Sequence, residues 1–148
     1  YGQAQNEYTK YLQDLIVKNN AQTYIRFKGH ADMTEIYKNC EVYVSASLSE
    51  TLGLSIMEAV GSGMALIGLN VKYGNRVFIH PEENGYLVDY DPKHSQEKED
   101  ELKECIADRI VQIFKDSERL ERFHQFSYET GREFFWSVIE EKWKKLLL

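Results

Sequence analysis

EVYVSASLSETLGLSIMEAVGSGMALIG, residues 41–68, decides the fold. Its opening, Glu41-Val-Tyr-Val-Ser45, is β-rich and reads as a strand. A polar loop, Ala46 to Gly53, leads into an almost wholly apolar helix, Leu54 to Val60. Gly61 and Gly63 close that helix, and Met64-Ala-Leu-Ile-Gly68 reads as a short buried strand. Strand, helix and strand in so short a stretch imply a βαβ unit and a parallel sheet.

On the amino side, Tyr8, Tyr11, Leu12, Leu15 and Ile16 recur at helical spacing within residues 5–19. Thr23-Tyr-Ile-Arg-Phe27 alternates and reads as a strand ending at Gly29, and Asp32 is placed to cap a short helix through Tyr37. On the carboxyl side, Asn70 to Gly85 reads mostly as loop, with short structure near Val77–His80. Gly85-Tyr-Leu-Val88 then reads as a fourth strand. Residues 89–101 are polar and acidic and read as a surface connection. Leu102, Ile106, Ile110, Ile113 and Phe114 mark one helix face, a second helix begins near Ser117, and a third holds Phe134, Phe135, Val138, Ile139, Trp143 and Leu146. The expected fold is α/β: a thin, Rossmann-like parallel sheet flanked by helices, one domain over residues 1–148. A helix so soon after Tyr1-Gly2 suggests that these two residues end an earlier strand, and the absence of an initial Met suggests a fragment of a larger protein.

Composition narrows the function. The chain has 148 residues, 43% hydrophobic and 28% charged, with 18 basic and 24 acidic residues and a net charge of −6. That balance argues against a nucleic-acid partner, which calls for clustered Lys and Arg. Cys40 and Cys105 form no CxxC pair and read as reduced thiols of a cytoplasmic protein. No apolar run approaches the roughly 20 residues of a membrane-spanning helix.

In an open parallel sheet, ligands bind beyond the carboxyl ends of the strands. Three loops qualify: Gly29-His30-Ala31, Ser45 to Gly53, and Leu69 to Asn75. The middle one opens a helix whose first amides, near Gly53 to Ser55, have no intrahelical acceptor and lie at the positive end of the dipole. Gly53 leaves room for close approach, so a pyrophosphate is the natural guest. An ordinary helix start capped by water or Thr51 is the plain alternative. Glu58 lies among Ile56, Met57, Ala59 and Val60, in a helix expected to be buried almost all round. A carboxylate there needs a partner, and its lean toward the helix N-terminus aims it at the same mouth, where it could accept from two ribose hydroxyls. A Glu on the wet edge of the helix is the competing reading. Glu50, eight positions earlier, is placed to reach past the phosphates to a sugar. Glu121 with Glu129, and Glu133 with Glu141, repeat that spacing on what read as solvated helix faces, so it is the strand–loop–helix setting that singles out the first pair.

Taken together, these residues resemble the C-terminal domain of retaining GT-B glycosyltransferases of family 4. That family's signature is Glu, seven residues, Glu; here it reads Glu50-Thr-Leu-Gly-Leu-Ser-Ile-Met-Glu58, followed by Ala59-Val-Gly-Ser-Gly63, similar to the family's EAMACG run. Asn84-Gly-Tyr-Leu-Val88 is similar to its NGLLV strand, and Phe126-Ser-Tyr to Trp143 to its terminal helices. Val60 to Gly68 and Tyr73 to Ile79 look like the firmicute branch containing the accessory-secretion glycosyltransferase of serine-rich adhesins and the teichoic-acid α-glycosyltransferases.

The resemblance implies a donor-binding domain lacking its first strand or strands and separated from an N-terminal acceptor domain. It implies a hexose or N-acetylhexosamine donor on a nucleoside diphosphate, UDP-GlcNAc or UDP-Glc, and a protein Ser/Thr or cell-wall polymer hydroxyl as acceptor. Glu50 would contact the donor sugar as the catalytic residue and Glu58 the ribose. The backbone amides of Leu52, Gly53 and Leu54 would hold the phosphates, Thr51 would also bind the donor, and Gly29 and His30 would lie near the base. The family has Gly then Phe after the first Glu; Thr51 and Leu52 depart from this and put the fine donor fit in doubt. The family's Arg and Lys on the diphosphate would fall before Tyr1, so the fragment alone is expected to be inactive. No metal and no cofactor beyond the donor are implied. A homologous partner subunit and a location in the cytoplasm or at the inner membrane face are expected, and the bare Trp136 and Trp143 face favours dimerisation.

His30, Tyr73 and Arg76 are further candidates for touching the donor, each with a plain alternative as solvated loop or turn residue. Two rivals stand beside the transferase: a non-catalytic glycosyltransferase-like partner, expected to lose Glu50 and Glu58, and a sugar-nucleotide epimerase, which needs further cleft carboxylates. A phosphate-receiver domain lacks its Asp cluster.

Overall fold

The computed structural model describes residues 7–29, 31–93 and 96–147. The chain divides into two compact units, Tyr1–Ile36 and Tyr37–Leu148. The first holds the expected amphipathic helix, α1 (Glu7–Lys18), and most of α2 (Met33–Tyr37), whose last residue belongs to the second unit. Asp32 caps α2 as expected, its Oδ1 accepting from the Thr34 amide at 2.9 Å.

The strand expected over residues 23–27 is absent: the backbone there is turn and irregular chain. The Tyr24 and Ile25 amides donate back to Ala21, closing a turn after α1. Tyr24 is 73% exposed, and Ile25 and Phe27 are also exposed. An alternating β-rich sequence becomes a strand only beside a partner that takes its ladder bonds. The possible strand end at Tyr1-Gly2 lies outside the described residues.

The second unit follows the expected order: β1 (Val42–Ser45), α3 (Leu54–Gly61), β2 (Ala65–Leu69), α4 (Gly74–Phe78), β3 (Gly85–Val88), α5 (Gln96–Lys115), α6 (Ser117–Arg132) and α7 (Trp136–Leu147). Among the described residues the sheet has three strands rather than the expected four, in the order β1-β2-β3. Both pairings are parallel, with Val44 beside Ile67 and Ile67 beside Tyr86. All five residues of the central β2 are buried, as the apolar run Ala65–Leu69 requires of a strand covered on both faces. Ala65, Ile67 and Leu69 join Ile113 of α5 and Phe123 of α6 in the core. Tyr86 meets Phe123 edge-on at 5.6 Å.

Three expectations change in detail. Residues 96–101 extend α5 rather than forming a connection; their acidity suits the positive end of a helix dipole, and Lys103 pairs with Glu99 and Asp100 at 3.0 and 3.1 Å. The short structure after β2 is α4, centred earlier than Val77–His80. Most consequentially, α3 is not buried all round. Ile56, Ala59 and Val60 face the core, but Leu54 is 62% exposed, and Ser55 and Glu58 are exposed beside it. A short helix on a sheet needs only one buried stripe, and apolar composition alone does not cover the other. The α7 face is bare as expected, with Trp136 and Trp143 exposed. Among the described residues no helix is long and apolar enough to cross a membrane.

Candidate functional site

Because all three strands run parallel, Ser45, Leu69 and Val88 end on one edge of the sheet. The loop after β1 rises from that edge and turns into α3 at Gly53. Gly53 adopts φ 79 and ψ 70, a left-handed conformation that favours glycine. A methyl there would come within 2.7 Å of Ile56 Cγ2 and 2.9 Å of Glu50 Cγ. Gly53 thus makes the sharp entry to the helix and lets the Glu50 side chain lie across it.

The helix start has no side-chain cap. The Gly53 carbonyl takes the amides of Ile56 and Met57, at 3.1 and 3.0 Å. Among the described residues the amides of Leu54 and Ser55 find no acceptor. The alternative of a start capped by Thr51 does not hold. Two bare N–H groups at the positive end of a helix form a place for an anion.

Glu50 is held at this mouth by the loop after β2. Its amide donates to Lys72 O at 3.2 Å, and its carbonyl accepts from the amides of Tyr73 and Gly74, a parallel bridge between the two loops. Gly74 lets the chains meet, since a methyl on it would strike the Leu52 carbonyl. The Glu50 carboxylate has no hydrogen-bond partner among the described residues and is partly exposed. Backbone fixed and head free, it stands beside the bare amides.

Glu58 departs from expectation. It is exposed rather than buried, so it has no need of a ligand to offset burial. It does have a partner: the Tyr37 hydroxyl donates to Glu58 Oε2 at 3.2 Å, with the Ser55 carbonyl 3.4 Å away. Burial first, then the charge and hydrogen bond of Glu58, push the Tyr37 phenol up to about 12. Tyr43 reaches the same face of α3, its hydroxyl 2.8 Å from Ser55 Oγ. Sequence reasoning missed Tyr37, Tyr43 and Gly74. No spacing rule ties Tyr37 to a carboxylate 21 residues later, and Gly74 reads only as a turn glycine.

The structure gathers Glu50, Thr51, Leu52, Gly53 and Leu54 at the α3 mouth, with Glu58 one turn along the exposed face. Gly29 belongs to the first unit, with φ 64, and His30 lies outside the described residues. Tyr73 is exposed and bridged to Glu50 through its backbone. Arg76 is engaged elsewhere. Its Nε donates to Asn70 Oδ1 at 2.8 Å, and the Asn70 side chain donates to Asp89 at 2.8 Å. These residues line an open cleft at the ends of β2 and β3, whose lining also includes Lys98, Arg109, Asp91 and Glu101. With both signs matched, that cleft has no bias toward an anion. Among the described residues no group of three His, Cys, Asp or Glu side chains is placed to hold a metal ion.

Comparison with known proteins bears on the family. The model described as Glycosyl transferases group 1 matches residues 1–130. The chain is 44% identical over 134 residues to the UDP-N-acetylglucosamine–peptide N-acetylglucosaminyltransferase GtfA subunit of Streptococcus pneumoniae, covering 90% of this chain and 26% of that protein. The crystal structure of the pneumococcal O-GlcNAc transferase GtfA in complex with UDP and GlcNAc aligns with a TM-score of 0.82 at 42% identity, over 93% of this chain and 26% of that one. A structure of a GtfA/B complex aligns at 0.80 and 38% identity, over 96% and 27%. The chain therefore spans about a quarter of the length of the relatives it matches. With the parallel sheet, the Glu50–Glu58 junction and a family match over most of its residues, the chain belongs to the glycosyl transferases group 1 family.

Proposed function

We propose that this chain forms the donor-binding part of a retaining glycosyltransferase, moving N-acetylglucosamine, or a hexose, from UDP to a hydroxyl. One observation carries the reading: the unpartnered Leu54 and Ser55 amides stand beside a Glu50 whose backbone is clamped and whose carboxylate is free. The diphosphate binds at the amides, where the helix dipole stabilises charge as the leaving group departs. Gly53 gives the close approach, and Thr51 and Leu52 flank it. Glu50 accepts from hydroxyls of the donor sugar and orients it. Glu58 accepts from the ribose.

Positioning and charge stabilisation do most of the work, and the departing diphosphate takes the acceptor proton. Neither a metal nor a cofactor besides the nucleotide sugar enters. UDP and GlcNAc are favoured by what the similar pneumococcal protein binds, and a protein Ser or Thr acceptor by that protein's peptide substrate. A homologous subunit is proposed as partner on the likeness to the GtfA/B complex. The reaction takes place in the cytoplasm or at the inner membrane face.

The test incubates the transferase containing this chain with UDP-GlcNAc or UDP-Glc and either a Ser/Thr-rich peptide or a polyol phosphate. Transfer of GlcNAc to the peptide with an α-anomeric proton coupling supports the proposal. Product of β configuration, or no transfer from either donor to either acceptor, overturns it.

A further inference from the structure

We infer that Tyr37 is a positioning residue for the nucleotide: its hydroxyl holds one oxygen of Glu58 and so presets the carboxylate for the ribose hydroxyls. The inference rests on the ribose role given to Glu58 above and adds what keeps that side chain in place.

Glu58 lies on the exposed face of α3. An unheld glutamate there samples several rotamers, and a ligand needing one of them must bear the cost of ordering it. Tyr37 removes much of that cost. The residue is only 7% exposed, so packing fixes the ring, and its hydroxyl donates to Glu58 Oε2 at 3.2 Å. A phenol offers a single proton. The Ser55 carbonyl, 3.4 Å away, shares that proton weakly while steering it to this side of the helix. One carboxylate oxygen is thereby engaged once, and the second is left with its lone pairs for two vicinal hydroxyls. The rest of the face is also fixed, since Tyr43 meets Ser55 Oγ at 2.8 Å.

Tyr37 can only donate in this setting. Glu58 is an acceptor when ionised, and burial beside its charge keeps the phenol protonated far above neutral pH. The direction of the hydrogen bond is therefore set, from the tyrosine hydroxyl to the carboxylate. A carboxylate that already carries one hydrogen bond from a fixed donor stays aimed.

The experiment measures UDP, 2′-deoxy-UDP and 3′-deoxy-UDP binding by calorimetry in the transferase containing this chain, wild type and Tyr37→Phe, alone and combined with Glu58→Ala. Phenylalanine keeps the ring and its packing. The expected result is about a three- to tenfold weaker affinity for UDP in Tyr37→Phe, a matching rise in donor KM and an unchanged kcat. The loss is expected to shrink for a deoxynucleotide and to vanish in the Glu58→Ala background. An undiminished loss in that background, or one equal for all three nucleotides, makes Tyr37 merely structural and overturns the inference. So does unchanged affinity in Tyr37→Phe while wild type binds UDP. A wild type that fails to bind UDP removes the donor-binding reading itself.

Discussion

Around Glu50 the restraint is backbone: the loop after β2 supplies Lys72 O and two amides, and Gly74 lets it close against the Leu52 carbonyl. Around Glu58 the restraint is one side-chain hydrogen bond from Tyr37 on an open helix face. The first fixes the backbone and fails only if a chain segment moves. The second is adjustable and fails with one hydroxyl. Where the sugar must be held to within a fraction of an ångström, backbone clamping is the suitable device; where a ribose needs only an anchor, a hydrogen-bonded carboxylate suffices.

Breaking the clamp should give the largest effect. Gly74→Ala places a methyl against the Leu52 carbonyl, a backbone atom that cannot rotate aside. A loss of about 3 kcal/mol in stability is expected from urea unfolding, with donor binding lost along with it. A stable variant with wild-type affinity would show that the two loops are not clamped.

Next comes the contrast between the two carboxylates. Glu50→Gln should lower kcat/KM for transfer by about 100-fold while leaving the affinity for UDP, which has no sugar to contact, near wild type. Glu58→Ala should weaken UDP and the intact donor alike, by about tenfold, with little change in kcat. Steady-state kinetics and calorimetry separate the two, and a pair of variants with identical profiles would erase the distinction between them.

The smallest expected effect is alkaline. Tyr37 has a folded pKa of about 12 against an ordinary value of 10.0. A raised value means that the folded state holds its proton more tightly. Its stabilising share is complete below pH 10 and is lost as the pH rises through about 12. Thermal unfolding of wild type and Tyr37→Phe from pH 8 to 11.5 should show the steeper decline in wild type. Parallel curves would mean that folding does not raise the pKa of the phenol.

Much of this was legible in the sequence, for local reasons. The run from Val42 to Leu69 carries strand, loop, helix and strand with their own glycine and polarity signals, and those elements stand where expected. The bare helix start was readable because Gly53 offers no side chain to cap it. What the sequence hid depends on neighbours. Residues 23–27 have strand chemistry but form turn and irregular chain. Glu58 sits among apolar residues, yet only Ile56, Ala59 and Val60 of that helix are buried. Tyr37 and Gly74 matter through contacts across 21 and 22 positions, and no periodicity encodes those.

The most direct test of the α3 mouth is a titration of the isotope-labelled transferase containing this chain with UDP, following backbone amides by NMR. The largest shifts are expected at Gly53, Leu54 and Ser55, with smaller ones at Glu58. Saturating UDP that leaves those amides unmoved, or that shifts only residues of the β2–β3 cleft such as Asn70 and Arg109, would contradict the assignment of the diphosphate to that mouth.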